Sequence, residues 1–380
     1  MASTVTWDSL RELARFRAQN GCAISLYLDL DPSVTPTPGD AATRVHALID
    51  EIERSEAARR PELTHEQKEG LRKDVERLRT FFENEFDREG AHGFAVFCAH
   101  LDNLWRPLSL SERVPDVLKV GRSLYLAPLV PLVGRGEGAL VAVVSRERGD
   151  LFRLRASRLE EVVEHFQEQP GRHDQGGWSQ ARYQRHIDKL VHDHLKDVAE
   201  TLDRQIRELG GAPLVIVAMD ETRAELEETL SHEVKKALVG WTSADAHAGA
   251  PELLEVAEPL LESWRAKQEI EAVERWKEEA GRNGRAAAGW GPTLEAASDG
   301  RIGLLLFQDG TDRPAWECPA CGRIASEGGA CPLDGTQMEE RREGLDLAVH
   351  QTLAHGGTVR AVRRRRDLEP VEGIGALLRF

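Results

Sequence analysis

Two clusters of residues along this chain could do chemistry. The first is Gly176-Gly177-Trp178-Ser179-Gln180-Ala181-Arg182-Tyr183-Gln184-Arg185-His186. Adjacent glycines admit positive φ and let a backbone approach a ligand with no Cβ in the way. An amphipathic pattern begins at Gln180, so the loop ends where a helix starts. Backbone N–H groups and the positive helix end then face whatever lies beyond the tip. Arg182, Arg185, His186 and Lys189 recur at three- and four-residue spacing, which makes one cationic stripe, and Arg172 and His173 stand just upstream. Trp178 offers a stacking face for a base. This grouping suits a phosphate-rich partner. The plainer reading is a surface loop followed by a solvated helix face.

The second cluster is Cys318-x2-Cys321 and, nine residues on, Cys331-x2-Asp334. A Cys-x2-Cys knuckle turns the chain so that both thiolates reach one tetrahedral ion, and zinc is the ion that this donor type selects. Gly322 and Gly335 suit the tight turns after each pair. Asp334 stands where a fourth Cys is usual. A carboxylate ligates zinc at about 2.0–2.2 Å, and His350 or His355 could fill the position instead. Three thiolates with no open position make a structural metal; reduced thiols in a turn are the alternative. Cys22 and Cys98 lie in apolar runs and read as core. Asp29 and Asp31 read as a strand-end turn. Arg360 and Arg363 to Arg366 suit either RNA contact or a solvated edge.

The elements that must position these residues follow from periodicity. Apolar runs predict strands at 23–29, 93–99, 139–145, 151–156, 214–218, 302–307, 358–362 and 375–378. Helical patterns cover 41–59, 64–86, 159–166, 180–209, 251–280, 292–297 and 343–354, with Asp220 as the cap of another helix. Residues 123–133, with Pro128 and Pro131, read as an extended linker. The chain is α/β and multidomain, divided at 1–137, 138–281 and 282–380. A total of 380 residues fits two or three domains. With 50 basic against 65 acidic residues the net charge is −15, which argues against coating nucleic acid with the whole surface. No run approaches the roughly 20 apolar residues of a membrane span, and the first residues lack a secretory pattern. Three of the five cysteines fall in one short motif, which suits a reducing compartment. A cytoplasmic protein is expected.

The stretch 176–186 resembles the Gly-Gly-Gln loop of archaeal and eukaryotic class I peptide release factors. It is more similar to that of their bacterial release-factor-like relatives, grouped with the quality-control peptidyl-tRNA hydrolases. The resemblance implies that Gly176, Gly177 and Gln180 form the catalytic tip, with Trp178 and Ser179 inserted between glycines and glutamine. Arg182 and Arg185 match the basic residues that follow it, for rRNA or tRNA phosphate. It also implies an N-terminal α/β domain and an RNase-H-like central domain over 138–281. The third domain, over 282–380, is then an α/β/α, ribosomal-protein-like one with a zinc-knuckle insert at 316–336. Its matching strings are GPTLEAASDGRIGLLLF, AHGGTVRAV and EGIGALLRF. The N-terminal segment matches loosely and lacks the Asn-Ile-Lys-Ser string of codon-reading factors.

The implied function is a codon-independent ribosome rescue factor that hydrolyses the ester of peptidyl-tRNA. Its partners are the ribosome, rRNA and peptidyl-tRNA, with an elongation-factor-like GTPase as a further candidate. Two other functions are kept. One is a non-catalytic ribosome-binding hibernation or A-site occupancy factor, motivated by the Trp178-Ser179 insertion. The other is a tRNA-binding or tRNA-cleaving protein.

Overall fold

The structure is a computed structural model that describes residues 5, 7–54, 63–88, 90–110, 112–133, 138–155, 158–163, 180–245, 247–282 and 284–380. The N-terminal segment comprises α1(Trp7–Arg15), β1(Ala23–Asp29), α2(Pro38–Arg54), α3(His65–Asn84), β2(Gly93–Ala99), β3(Leu104–Leu110) and β4(Val117–Gly121). Its antiparallel sheet runs β3-β2-β1-β4. Alternation sorts the faces of β1. Ile24, Leu26 and Leu28 meet Val45, Ile49, Leu78 and Phe82 of α2 and α3, while Ala23 and Tyr27 point the other way. Thr64 and Gln67 close a capping box at the start of α3. The linker expected to be extended instead contains a 3-10 helix, Ala127–Leu132, with proline in its first turn. Proline suits that position because its missing N–H would be unpaired there anyway.

The central segment contains β5(Leu140–Val144), β6(Gly149–Arg155), β7(Arg158–Val163), α4(Gln180–Glu208), β8(Leu214–Val217), α5(Asp220–Thr229), α6(His232–Ala237), β9(Leu238–Thr242) and the first part of α7(Ala250–Gly281). The sheet order is β7-β6-β5-β8-β9. The first three strands are antiparallel, and β5, β8 and β9 run parallel. Val191, Leu195, Val198, Leu202 and Ile206 of α4 pack on one sheet face with α5 and α6. Leu253, Ala257 and Leu261 of α7 cover the other. Within the expected helix at 159–166, residues 159–163 belong to strand β7: Leu159 pairs with Leu154, and sheet pairing overrides the helical propensity of its glutamates. The cap of α5 is Met219, and Asp220 is its first residue.

The third segment adds β10(Ala286–Ala288), α8(Trp290–Ser298), β11(Ile302–Gln308), β12(Ala315–Glu317), β13(Ile324–Ala325), β14(Glu339–Arg341), α9(Gly344–Ala354), β15(Thr358–Val362) and β16(Ile374–Leu378). Its main sheet is β10-β16-β11-β15, and a small one is β13-β12-β14. Leu294, Ala297, Ala348 and Val349 of α8 and α9 pack with Ile302, Leu305 and Phe307. Val273 and Trp276, at the end of α7, pack with Leu306, Val362 and Leu377. The segment is therefore a three-layer helix–sheet–helix arrangement. A Cβ on Gly375 would lie 2.7 Å from the Trp276 indole nitrogen, so only glycine lets this helix approach the sheet.

Contacts divide the chain into two compact units, Met1–Val133 with Gln268–Phe380, and Gly134–Lys267. The first unit is one packed body. Leu10, Tyr27, Phe97, Leu124 and Leu129 share a core with Trp290, Leu305, Leu345 and Val349. Asp346 of α9 accepts the N–H groups of Leu126 (2.6 Å) and Ala127 (3.0 Å), at the start of the 3-10 helix. Both ring nitrogens of His350 face carbonyl oxygens, of Ala14 at 3.2 Å and Leu124 at 2.5 Å. Among the described residues no helix is long and apolar enough to cross a membrane.

Candidate metal centre and glycine loop

The cysteine motif folds as two matching knuckles. In the first, the Cys318 N–H donates to Arg323 O (2.8 Å) and the Gly322 N–H to Cys318 O (2.9 Å). In the second, the Cys331 N–H donates to Thr336 O (2.8 Å) and the Gly335 N–H to Cys331 O (2.8 Å). Gly322 and Gly335 hold φ of +76° and +73°, which only glycine adopts cheaply. Cys318 and Cys321 occupy the first and fourth positions of one knuckle, and Cys331 and Asp334 those of the other. Ligand atoms from all four lie within 4.8 Å of one another. The Sγ atoms of Cys321 and Cys331 are 3.5 Å apart, and Cys318 Sγ lies 3.5 and 3.6 Å from the Asp334 carboxylate oxygens. This is the one group of three or more such donors among the described residues.

The site's electrostatics favour bound cations. The amide and hydroxyl of Thr336 hold the Asp334 carboxyl down to about 2. Desolvation works against the Cys331 thiolate, but the Leu333 and Asp334 amides and the neighbouring thiols outweigh it and hold the thiol below its usual range. At Cys321 the Arg323 amide lowers the thiol. Desolvation and the neighbouring Cys318, Cys331 and Asp334 overcome that and push it up to about 12. A divalent ion would relieve this crowding of like groups and displace the protons that now relieve it.

Neither histidine considered for the fourth position joins the set. His350 is engaged with Ala14 and Leu124, and His355 Nδ1 lies 2.8 Å from Gln351 O. Asp334 stands with the three cysteines, and the second knuckle repeats the turn of the first. Anchors that sequence spacing did not single out hold the module. Gln351 of α9 donates to Gly322 O at 2.8 Å, and Ser298 of α8 bonds both the N–H and the carbonyl of Ile324. Each is an ordinary polar residue with no motif of its own. In the basic cluster after β15, Arg363 pairs with Glu112 and Asp309, Arg365 with Glu274 and Asp367, and the exposed Arg366 with Glu369, while Arg360 donates to Gln268 O. Asp29 and Asp31 meet Arg113 at 2.7 and 3.3 Å, as a strand-end turn would. Cys98 is buried, and Cys22 is half-buried.

Arg172, His173, Gly176, Gly177, Trp178 and Ser179 lie outside the described residues. Gln180 is the first residue of α4, so the backbone places the glutamine at a helix start, as its sequence suggested. The side chains of Gln180, Arg182, Arg185 and His186 are likewise outside the description. Lys189 is exposed, and His192 and Lys196 continue its solvent-facing side of α4.

Residues 125–262, which include this loop and most of the second unit, match the family described as "Bacterial archaeo-eukaryotic release factor family 10". The chain is similar to archaeal peptide release factors. It is 27% identical over 289 residues to the "Peptide chain release factor subunit 1" of Archaeoglobus fulgidus, covering 67% of this chain and 69% of that protein. The protein of the same name from Thermococcus kodakarensis is 27% identical over 330 residues, 76% of this chain and 79% of that one. Against the Methanobrevibacter smithii protein the chain spans half of its relative's length, at 27% identity over 52% of its own. Among solved structures, the archaeal translation termination factor aRF1 shares 18% identity over 99% of both chains, with a TM-score of 0.28. Ribosome-bound archaeal Pelota, solved with ABCE1, shares 15% over 76% of this chain and 77% of that one, with a TM-score of 0.45.

Proposed function

We propose that this chain is a cytoplasmic, codon-independent ribosome rescue factor that hydrolyses the ester joining peptide to tRNA. The observation that carries the reading is the family match across 125–262, which contains the glycine loop and the helix that starts at Gln180. The strand order β7-β6-β5-β8-β9, antiparallel then parallel, supports an RNase-H-like reading of the segment that bears the loop. The third segment's helix–sheet–helix layering supports the ribosomal-protein-like reading.

A peptidyl ester is already labile, so the protein's task is to position water and stabilise the developing oxyanion within an RNA-built centre. Gly176 and Gly177 give side-chain-free approach, and the Gln180 amide orients the attacking water. Glutamine is a poor base, so the proton passes to the terminal ribose hydroxyl or to solvent. Arg172, Trp178, Arg182, Arg185, His186 and Lys189 contact RNA, the cations through phosphate and Trp178 by stacking. The partners are the ribosome, its rRNA and peptidyl-tRNA, with an elongation-factor-like GTPase as a delivery candidate.

Zinc is the ion proposed for Cys318, Cys321, Cys331 and Asp334. Three sulfurs and a carboxylate within reach of one point, on paired knuckles, suit a closed tetrahedral site. Its part is structural: it would hold the two knuckles to α8 and α9.

Ribosomes carrying peptidyl-tRNA test the function directly. Wild-type protein should release peptide, and Gln180→Ala should slow release about 100-fold, the scale of a misplaced reacting group. Equal release by both removes Gln180 from the mechanism. The two-residue insertion Trp178-Ser179 favours a second reading, A-site occupancy without catalysis, which binding with no release would support. Shortened tRNA would indicate cleavage instead.

A further inference from the structure

The four donors of the metal centre are not equally reachable. Cys321 is exposed, whereas Cys318 and Cys331 are buried. Cys331 Sγ lies 3.5 Å from Cys321 Sγ, while Cys318 Sγ sits against the Asp334 carboxylate at 3.5 and 3.6 Å. An oxidant arriving from solvent therefore meets Cys321 first, and the thiol in closest contact behind it is Cys331. Cys98, buried in β2, is out of its reach. We propose that Cys321 is an oxidative modification site, at which a hydroperoxide drives formation of a Cys321–Cys331 disulfide and expels the metal. The proposal rests on the zinc reading above for its metal-release arm alone.

The chemistry balances in two steps. Cys321 Sγ gives up its proton to solvent as it attacks the terminal oxygen of the peroxide, and the O–O bond breaks. Cys321 becomes a sulfenic acid, and the departing oxygen takes up a proton to leave as water or alcohol. The Cys331 thiolate then attacks Cys321 Sγ. The S–O bond breaks, hydroxide leaves and is protonated to water, and the S–S bond forms. The two sulfurs together give up two electrons, and the peroxide accepts both. Cys318 and Asp334 then remain as the only donors, too few for a closed tetrahedral site. Because the two thiols come from different knuckles, the disulfide ties the knuckles together where the ion did so before. The device exchanges one cross-link for another and sheds a zinc ion.

Full-length, reduced, zinc-loaded protein is treated with a small excess of hydrogen peroxide. Released zinc is read with a chromophoric chelator, and cysteines are mapped by differential alkylation and mass spectrometry. The expected result is zinc release together with a Cys321–Cys331 disulfide, Cys318 and Cys98 remaining alkylatable, and recovery on adding thiol and zinc. Cys321→Asp repeats in the first knuckle the Cys-x2-Asp arrangement of the second and lacks the reactive thiol. It should release zinc at least about tenfold more slowly under the same peroxide. Zinc retained by the oxidised wild type, or a disulfide through Cys318, overturns the proposal. If the reduced protein takes up no zinc, the zinc reading fails on its own. The disulfide map of that same protein then decides the modification: a Cys321–Cys331 bond supports it, and any other pairing or none overturns it.

Discussion

At the scale of single residues, identical spacing does not give identical chemistry. Cys331 and Asp334 stand three apart, as Cys318 and Cys321 do, and their turns match bond for bond. A carboxylate in the fourth place makes the site harder than four thiolates would. Asp334→Ala should weaken zinc binding by at least about tenfold, since even outer-shell changes cost that much. Competition with a calibrated chelator measures it, and unchanged affinity would show that Asp334 is not a ligand. The cysteine spacing made this site legible from the sequence. What spacing could not decide was the fourth donor, because only in the folded chain are both His350 ring nitrogens met by carbonyls and His355 left outside the donor group.

Between elements, one carboxylate joins two parts of the chain far apart in sequence. Asp346, on α9, accepts two backbone N–H groups at the start of the 3-10 helix Ala127–Leu132. Burial pushes its carboxyl above the usual range, with His350 and those two amides opposing the shift. A carboxyl raised on folding gives up its proton later than in the unfolded chain. The unfolded chain therefore binds fewer protons between the ordinary value near pH 3.9 and the raised one. Stability falls as pH rises through that window. Asp346→Asn keeps an acceptor for both amides and cannot ionise, so its stability should vary less over that window; denaturant titrations at several pH values would show it. A profile that still follows the wild type would assign the dependence to another group. Sequence reasoning placed α9 well and gave no sign of this bond. It also read 159–166 as a helix, since only the neighbour β6 makes residues 159–163 a strand.

In the whole chain, the three sequence segments do not fold as three cores. The first shares its interior with the third, through residues such as Leu10 and Tyr27 on one side and Leu345 and Val349 on the other. Lys119 with Glu343 and Arg363 with Glu112 add ion pairs between the same two segments. Residues 1–137 produced alone should therefore lack fixed tertiary structure, as read by near-ultraviolet circular dichroism, and should regain it when produced together with 268–380. A well-packed isolated 1–137 would show that the shared core is dispensable.

The sequence by itself determined the α/β class, most strands and helices and the cysteine knuckles. Those features rest on periodicity, turn residues and ligand spacing, which act over a few residues of neighbouring chain. The tertiary structure alone decided the strand at Arg158–Val163, the ion pairs of Arg363 and Arg365 and the joining of first and third segments. Each depends on a partner remote in sequence, whose position exists only once the chain has packed, and no local pattern encodes it.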